Sequence, residues 1–134
     1  MSPELVSSAE DGIHRTYVAA VVLLAIGLGT PGILGLGALL ALVALAKAAT
    51  QKVRPDRSDP FSFPSGHTAA AAFLAAAYGG TMGILLGVWA IGVGISRMHR
   101  RRHDLADVAA GALLGLWCGL AVRARMRKSP LVHR

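Results

Sequence analysis

Apolar residues are concentrated in three long runs that are separated by short polar segments. The runs cover residues 16–46, 69–95 and 105–122. A straight membrane-spanning helix needs about 20 predominantly apolar residues, so only the last run has the length of a single span. The pattern therefore predicts more than one helix in each of the two longer runs.

Turn-forming residues divide both longer runs. Thr30-Pro31 lies in the middle of the first run, among several glycines, and Gly79-Gly80-Thr81 interrupts the second. Because these residue types favour turns, the chain is predicted to form five helices. The expected ranges are 16–29, 32–47, 66–79, 82–97 and 104–123. A helix of about 14 residues reaches only ~21 Å, less than the ~30 Å of a hydrocarbon core, so either these bounds are too narrow or the site lies below the membrane surface.

The composition is that of a membrane protein rather than a soluble one. A length of 134 residues allows one domain, and a hydrophobic share of 54% with a mean hydropathy of +0.53 is high for a soluble chain of this size. We therefore predict an all-α, integral membrane helical bundle with about five transmembrane helices. It comprises a polar N-terminal segment (residues 1–15), a single transmembrane domain (16–123) and a basic C-terminal tail (124–134).

The charged residues argue against two other interpretations. The first apolar run is similar in hydropathy to a signal peptide, but residues 1–15 carry three acidic residues against one arginine, the wrong balance for the basic start of such a peptide. The net charge of +7 does not indicate nucleic acid, because the basic residues lie at helix ends and form no face interleaved with aromatic residues. Anionic lipid headgroups are the better partners.

Three polar motifs interrupt the apolar chain: Lys47–Pro55, Pro64–His67 and Ser96–Asp107. If the five helices cross the membrane alternately, these motifs lie at the end of the second helix, at the start of the third, and in the connection between the fourth and the fifth. All three then meet at one face of the membrane, together with the N-terminus. The topology alone predicts one site built from all three.

Lys47, Arg54 and Arg97 supply fixed positive charge to that site. Phosphoryl transfer depends mainly on positioning and on preorganised positive groups in a partly dry site. Arginine contributes a planar fork for two phosphate oxygens, and lysine contributes a point charge on a flexible stem. Taken singly, each residue is also typical of cations that extend from helix ends to the membrane surface, so the phosphate interpretation depends on the three motifs together.

The segment Pro64-Ser65-Gly66-His67 has the composition of an anion-binding helix start. Ser65 can bond a phosphate oxygen or cap the helix, and Gly66 allows the backbone to approach a ligand closely. Backbone N–H groups at a helix N-terminus bind anions. A plain capping turn is an equally good account of the first three residues, and the addition of His67 favours the functional interpretation.

His103 and Asp107 are four residues apart at the start of the fifth helix. The carboxylate can therefore lie against one ring nitrogen, fix the tautomer and leave the other nitrogen as a nucleophile. His67 then remains as general acid for the departing oxygen.

A metal site is the alternative use of these residues. His99, His103 and Asp107 recur at a spacing of four and would share one face of a continuous helix. The run Arg100-Arg101-Arg102 lies between the first two, and concentrated positive charge favours an anion over a divalent cation. We therefore expect neither a metal nor another cofactor.

Together the motifs read Lys, six residues, Arg-Pro; then Pro-Ser-Gly-His; then Ser-Arg, five residues, His, three residues, Asp. This pattern resembles the signature of the type 2 phosphatidic acid phosphatase family without a substitution. The resemblance covers residues 47–107 and implies a phosphohistidine intermediate that water hydrolyses. It implies His103, His67 and Asp107 as the catalytic residues. It implies phosphate binding by Lys47, Arg54, Ser65, Gly66 and Arg97.

The chain also departs from that family. Only 8 residues separate Pro55 from Pro64 and 28 separate His67 from Ser96, and both intervals are shorter than is usual. The family commonly has six helices where five are expected here, which indicates an open flank or a partner protomer. Vanadium-dependent haloperoxidases share the family's fold and motif, but they are soluble, so the hydropathy argues against them.

The predicted function is that of a metal-independent membrane phosphatase that removes a terminal phosphate from an amphiphile entering from the bilayer. Candidate substrates are phosphatidic acid, phosphatidylglycerol phosphate, polyprenyl phosphates or pyrophosphates, and polyprenyl phosphosugars. The alternative is a non-catalytic membrane scaffold or anion-binding subunit that keeps the phosphate pocket. Such a subunit is expected to lack His67 or His103, and both are present.

The expected location is the plasma (inner) membrane of a bacterium. Nine of the fourteen Lys and Arg residues fall on the face of the site, which favours the cytoplasm by the positive-inside rule. The resemblance and the acidic N-terminal segment favour the extracytoplasmic face, which we prefer slightly.

Glycines at a spacing of four form two sets that let helices approach closely. The sets are Gly79, Gly83 and Gly87, and Gly111, Gly115 and Gly119. They predict helix packing within the protomer or, alternatively, a homo-oligomer contact.

Overall fold

The computed structural model describes residues 2–129 and contains five α-helices in that part of the chain. The helices are α1 (Pro3–Gly27), α2 (Gly29–Thr50), α3 (Gly66–Tyr78), α4 (Gly80–His99) and α5 (Leu105–Lys128). The described residues form no strand. The predicted all-α bundle of five helices is therefore confirmed.

The first helix begins well before its predicted position, at Pro3 instead of residue 16. Ser2 caps the helix, because its hydroxyl accepts a hydrogen bond from the Leu5 amide at 3.4 Å. Proline is tolerated in the first turn, and Glu4 suits the positive end of the helix dipole. The polar segment that was expected to precede the bundle is therefore the first half of α1.

The break in the first apolar run falls at Leu28 and Gly29, just ahead of the predicted Thr30-Pro31. Gly29 has a φ of +71°, a conformation that glycine adopts without steric cost. Pro31 then lies in the first turn of α2, where it removes no helical hydrogen bond.

The last helix continues beyond its predicted end at residue 123, as far as Lys128. Arg125, Arg127 and Lys128 lie in its last turn, where cations interact favourably with the helix dipole. The predicted basic tail is thus helical up to this point, and residues 130–134 lie outside the described residues.

Within residues 2–129, three helices have the length and hydropathy to cross a membrane: α2 with 22 residues, α4 with 20 and α5 with 24. The bounds predicted for the second and fourth helices are thus too narrow, which is one of the two alternatives stated above, whereas the fifth was already expected to have the length of a full span. Only α3 is short, since its 13 residues span ~20 Å. Every residue from Thr68 to Ala77 is buried, so α3 is the central helix around which the others pack.

The small residues of α5 allow it to lie directly against α3. A Cβ atom added to a glycine of this set would collide with a backbone carbonyl oxygen of the α3 segment. Gly111, Gly115 and Gly119 face the carbonyl oxygens of Ser65, Ala69 and Phe73, in that order. Two matching rows at a spacing of four therefore join the helices, and this glycine face is occupied within the chain.

The glycines of the other set do not make one common packing contact. Gly79 ends α3 with a φ of +62°, and α4 begins only after it. Gly83 packs against the Ala75 carbonyl, whereas a Cβ at Gly87 would meet open space. A homo-oligomer contact stays a prediction, and of these glycines only Gly87 has free space beside it.

Large apolar side chains point outward along the spanning helices. Leu34, Ile84 and Trp117 are 67%, 70% and 69% exposed. Exposed large apolar side chains are unfavourable in water and are matched by hydrocarbon. The outer surface of the bundle is thus compatible with a membrane.

Candidate active site

Four helix ends and one loop meet at the same end of the bundle. They are the C-terminal ends of α2 and α4, the N-terminal ends of α3 and α5, and the loop of residues 51–65. The hydrogen bonds that join them run from Ser65 N to Asp107 O (2.9 Å), from Asp56 N to Arg101 O (3.0 Å) and from Lys47 Nζ to Phe61 O (2.6 Å). The three polar motifs are thus brought together at one end of the molecule.

His103 and Asp107 lie at the buried centre of this region, with side chains that are 2% and 0% exposed. Nδ1 of His103 is 3.6 Å from Oδ2 of Asp107, which is within ion-pair range but longer than a hydrogen bond. The carboxylate therefore faces the imidazole as predicted, without bonding it directly. Catalytic hydrogen bonds are often long before substrate binds and shorten in the reacting complex.

His103 lies in the loop between α4 and α5, where its surroundings keep the ring neutral. Burial lowers the pKa of His103 to about 4, and the positive charges of Arg97 and Lys47 act in the same direction, against the attraction of Asp107. At neutral pH the imidazole therefore carries a free lone pair, which is the form that a nucleophile requires.

Asp107 is held by groups other than His103. Lys52 Nζ donates to Oδ1 at 2.8 Å, and the Ser62 hydroxyl donates a short hydrogen bond to Oδ2. A buried carboxylate is stable only when such partners compensate its charge. Lys52 and Ser62 thus fix the orientation of the group that faces His103.

The start of α5 also fixes Asp107 through its backbone. Asp104 is the N-cap, and its Oδ1 accepts from the Asp107 amide at 2.9 Å, while Asp107 Oδ2 accepts from the Asp104 amide at 3.0 Å. This reciprocal pair is a capping box with aspartate at both positions. The hydrogen bond from Lys52 holds the pKa of the Asp104 carboxyl below its usual value, so the cap stays charged.

Arg54 and Arg97 bring unpaired nitrogen atoms to the site. Within residues 2–129, the buried side-chain nitrogens without a hydrogen-bond partner are Nε of Arg54, Nε of Arg97 and Nδ1 of His103. Arg54 Nε lies 3.0 Å from Asp59 Oδ1, but the N–H does not point along that line, so the contact is an ion pair only. Buried N–H groups without partners are costly, and a phosphate oxygen is the acceptor that would satisfy them.

Ser65 and Gly66 begin α3. Ser65 is fully buried and caps the helix, since its Oγ accepts from the Thr68 amide at 3.4 Å. The capping alternative is therefore seen in the structure, and a contact of this hydroxyl with phosphate stays a prediction. A Cβ added to Gly66 would make only an ordinary contact with Val43 at 3.5 Å, so packing within the chain does not explain the glycine.

His67 opens onto a cavity of ≈ 1030 Å³ between α1 and α4. The cavity is polar at one end and apolar at the other. Its polar end is lined by Arg54, His67, Arg97 and Arg102, and its apolar end by Leu24, Leu86, Trp89 and Val93. Two of the three predicted cations and the predicted acid therefore share one space, whereas the buried His103 does not line it.

Several side chains at the site were missed in the sequence. Glu10, His14 and Tyr17 lie on one face of α1 and line the cavity. Their spacing of four and three continues into Val21 and Leu24. Residues at this spacing share one face of a helix, and such a face is typical of a helix that packs against the rest of the protein. Tyr17 lies within the predicted first helix, but Glu10 and His14 fall in residues 1–15, which were expected to form a polar segment ahead of it.

The predicted metal alternative needed one continuous helix, and the structure does not contain it. α4 ends at the exposed His99, and α5 begins at Leu105. His103 lies in the intervening loop, so His99, His103 and Asp107 do not share a helical face. The alternative of a metal site formed by these three residues on one helix is therefore wrong.

The fold and the site define an all-helical protein with a cationic centre that contains a buried histidine. Residues 28–130 match the PAP2 superfamily, and the chain belongs to this family. The resemblance to type 2 phosphatidic acid phosphatases is thereby confirmed, and with it a function of the phosphatase type. A comparison with the solved structures returns no significant match.

Proposed function

We propose that the protein is a metal-independent membrane phosphatase that hydrolyses a lipid phosphate or polyprenyl (pyro)phosphate through a phosphohistidine intermediate. The observation that carries this proposal is the pair of buried, unpartnered Nε atoms on Arg54 and Arg97, whose positive charges lie close enough to His103 to lower its pKa. Two fixed cations beside a neutral imidazole form a receptor for an anion with a nucleophile next to it.

In the first step a ring nitrogen of His103 attacks phosphorus. The new N–P bond forms as the bond from phosphorus to the alcohol oxygen breaks, and His67 donates a proton to that oxygen. Arg54, Arg97 and Lys47 stabilise the charge on the remaining phosphate oxygens. Asp107 stabilises the positive charge that develops on the His103 ring.

In the second step water hydrolyses the phosphohistidine. His67 accepts a proton from the attacking water, the water oxygen bonds to phosphorus, and the N–P bond breaks. Inorganic phosphate leaves, and His103 returns to its neutral form. The same residue thus acts as acid in one step and as base in the other.

The shape of the cavity supports an amphiphilic substrate. The headgroup would lie among Arg54, His67 and Arg97, and an acyl or prenyl chain would extend along Leu24 and Trp89. A pocket with an apolar body and a few convergent polar groups is typical of ligand sites. Phosphatidic acid, phosphatidylglycerol phosphate, and polyprenyl phosphates, pyrophosphates or phosphosugars all have this chemistry.

Phosphate release from these lipids by the detergent-purified chain tests the proposal. We expect turnover to persist in excess chelator and to be inhibited by vanadate, which adopts the geometry of the pentacoordinate phosphorus. Loss of activity in chelator, restored by zinc or magnesium, would contradict metal independence. Tight vanadate binding with no turnover of any of the substrates would favour the non-catalytic anion-binding subunit.

The proposed location is a bacterial plasma membrane, with the site preferred on the extracytoplasmic face. The exposed apolar surface of the spanning helices supports the membrane location. Cysteine substitutions at the exposed Ser58 in the site loop and at Arg125 at the other end of α5 would be labelled from opposite sides. We expect an impermeant reagent to label Ser58→Cys in intact cells. Labelling of Arg125→Cys alone would show that the site faces the cytoplasm.

A further inference from the structure

The first half of α1 lies against the site and contacts it through one face. Tyr17 donates its hydroxyl proton to the backbone oxygen of His67 at 2.6 Å. Glu10 Oε1 lies 3.6 Å from Arg100 Nη1 at the end of α4. These contacts hold the helix against the cavity, and they place the residue between them, His14, beside His67.

His14 and His67 are in direct contact through their rings. Nδ1 of His14 lies 3.1 Å from Nε2 of His67, within hydrogen-bond distance. The ring centroids are 5.2 Å apart and the planes are tilted by 50°. Both side chains line the cavity, but that of His14 is exposed, whereas that of His67 is half-buried beside Arg54 and Arg97. The exposed imidazole thus connects solvent with the half-buried one.

We infer that His14 is a proton relay that loads and unloads His67 during turnover; this inference rests on the proposed function. A neutral imidazole is a weak acid unless its second nitrogen gains a proton as the first loses one. A lasting positive charge on His67 is unfavourable beside Arg54 and Arg97. A partner that delivers the proton at the moment of transfer removes the need for that charge.

The relay conserves protons at every step. When the phosphorus–oxygen bond breaks, Nδ1 of His67 gives its proton to the leaving oxygen, and Nε2 takes one from Nδ1 of His14. His14 recovers a proton from solvent, to which its side chain is exposed. When water attacks the phosphohistidine, the same protons move in the opposite direction, and His14 releases one to solvent.

Leaving-group dependence tests the relay in the full chain in detergent. An alkyl phosphate needs a proton on its departing oxygen, and an aryl phosphate needs much less help. Because general acid catalysis contributes about 10² to 10⁴, we expect His14→Ala to lower kcat about 10- to 100-fold on the alkyl substrate and only about 3-fold or less on the aryl one. The double variant His14→Ala/His67→Ala should be no slower than His67→Ala alone, since both residues act in one step.

Two further variants separate proton transfer from mere positioning. His14→Asn presents an amide at about the place of Nδ1, so it can bond to His67 but cannot carry a proton. We expect it to be as slow as His14→Ala, and we expect free imidazole to restore part of the His14→Ala rate. His99→Ala removes another exposed histidine at the end of α4 and should keep the wild-type rate on both substrates.

The outcomes distinguish the relay from the reaction itself. An active wild type with a fully active His14→Ala, or a fully active His14→Asn, would overturn the relay and leave the phosphatase in place. Equal losses on alkyl and aryl substrates would likewise overturn it, because a positioning role does not depend on the leaving group. A wild type without turnover would overturn the proposed function as well.

Discussion

Asp107 lies 3.6 Å from the Nδ1 atom of His103, and its carboxylate is bonded by Lys52 and Ser62 instead of by the imidazole. The carboxylate is therefore a fixed negative charge whose position is set by the loop of residues 51–65 and the cap of α5. The site thus has a reacting pair, His103 with Asp107, and two residues that hold Asp107 in position, Lys52 and Ser62.

Removal of the Asp107 charge tests whether this carboxylate stabilises the reacting His103. Asp107→Asn keeps the shape but cannot stabilise the positive charge that develops on His103. We expect kcat to fall by about 10² to 10⁴, as in other triads that lose their carboxylate, with little change in KM. An unchanged kcat would show that other groups orient and stabilise His103.

Removal of Lys52 tests whether this residue acts by holding Asp107 in position. Lys52→Met keeps the length of the side chain and leaves the buried Asp107 with one cationic partner fewer. We expect kcat to fall about 10-fold or more, by less than in Asp107→Asn, and the double variant to be no slower than Asp107→Asn. The exposed Arg57 on the same loop provides the control, since Arg57→Met should keep the wild-type rate. Independent, multiplicative effects of the two site variants would contradict a shared role.

The low pKa of His103 predicts the behaviour of the protein in acid. Its value of about 4 in the folded state lies below the ordinary ~6.5 of histidine, so the unfolded chain binds this proton more tightly. The contribution of neutral His103 to stability is therefore complete above pH ~6.5 and is lost as the pH falls toward 4. Thermal unfolding between these pH values should show a smaller loss in His103→Gln than in wild type.

The acid limb of kcat/KM reports the same pKa in the free enzyme. Arg97→Gln removes a positive charge that disfavours protonation of His103, so the midpoint of the limb should move to higher pH. Arg125→Gln, at the other end of α5, should leave the midpoint unchanged. A limb that is identical in wild type and Arg97→Gln would contradict the electrostatic account of His103.

The glycine contact between α3 and α5 predicts a pair of opposite stability effects. Gly115→Ala introduces a Cβ against the Ala69 carbonyl, and overpacking of this kind costs about 1–3 kcal/mol. Gly87→Ala meets open space and should be neutral or stabilising by up to about 1 kcal/mol, since alanine favours a helix more than glycine does. Thermal unfolding in detergent measures both, and equal changes would contradict the asymmetry.

The sequence predicted the helices and the convergence of the motifs because both follow from hydropathy and topology. Five apolar segments that alternate across a membrane must bring Lys47, His67 and His103 to one side. The spacing of Gly111, Gly115 and Gly119 likewise indicated close packing, although it did not identify α3 as the partner. Helix ends were less accurate, because capping by Ser2 and the cations near Lys128 extend helices into polar sequence.

The orienting groups and the α1 contact were not predicted. Lys52 and Ser62 lie in a loop whose course depends on tertiary contacts. Their hydrogen bonds to Asp107 join residues far apart in the chain, and no periodic sequence pattern indicates such bonds. Asp104 was open to recognition, because Asp-x-x-Asp ahead of an apolar run is a capping pattern. His14 was not predicted, because residues 1–15 were expected to form a polar segment outside the bundle, whereas Glu10 and His14 contact the site.

Identification of the covalent intermediate tests the central claim most directly. A substrate labelled in its terminal phosphate is mixed with excess protein, quenched in alkali within one turnover, and the peptides are analysed for phosphate that is stable to base and labile to acid. We predict such phosphate on His103 in wild type. It should accumulate in His67→Ala with an aryl substrate, because the second step is then slowed. In His103→Ala both the labelled phosphate and turnover should be lost. Phosphate release by a folded His103→Ala at a rate near wild type, or label on another residue, would contradict the account.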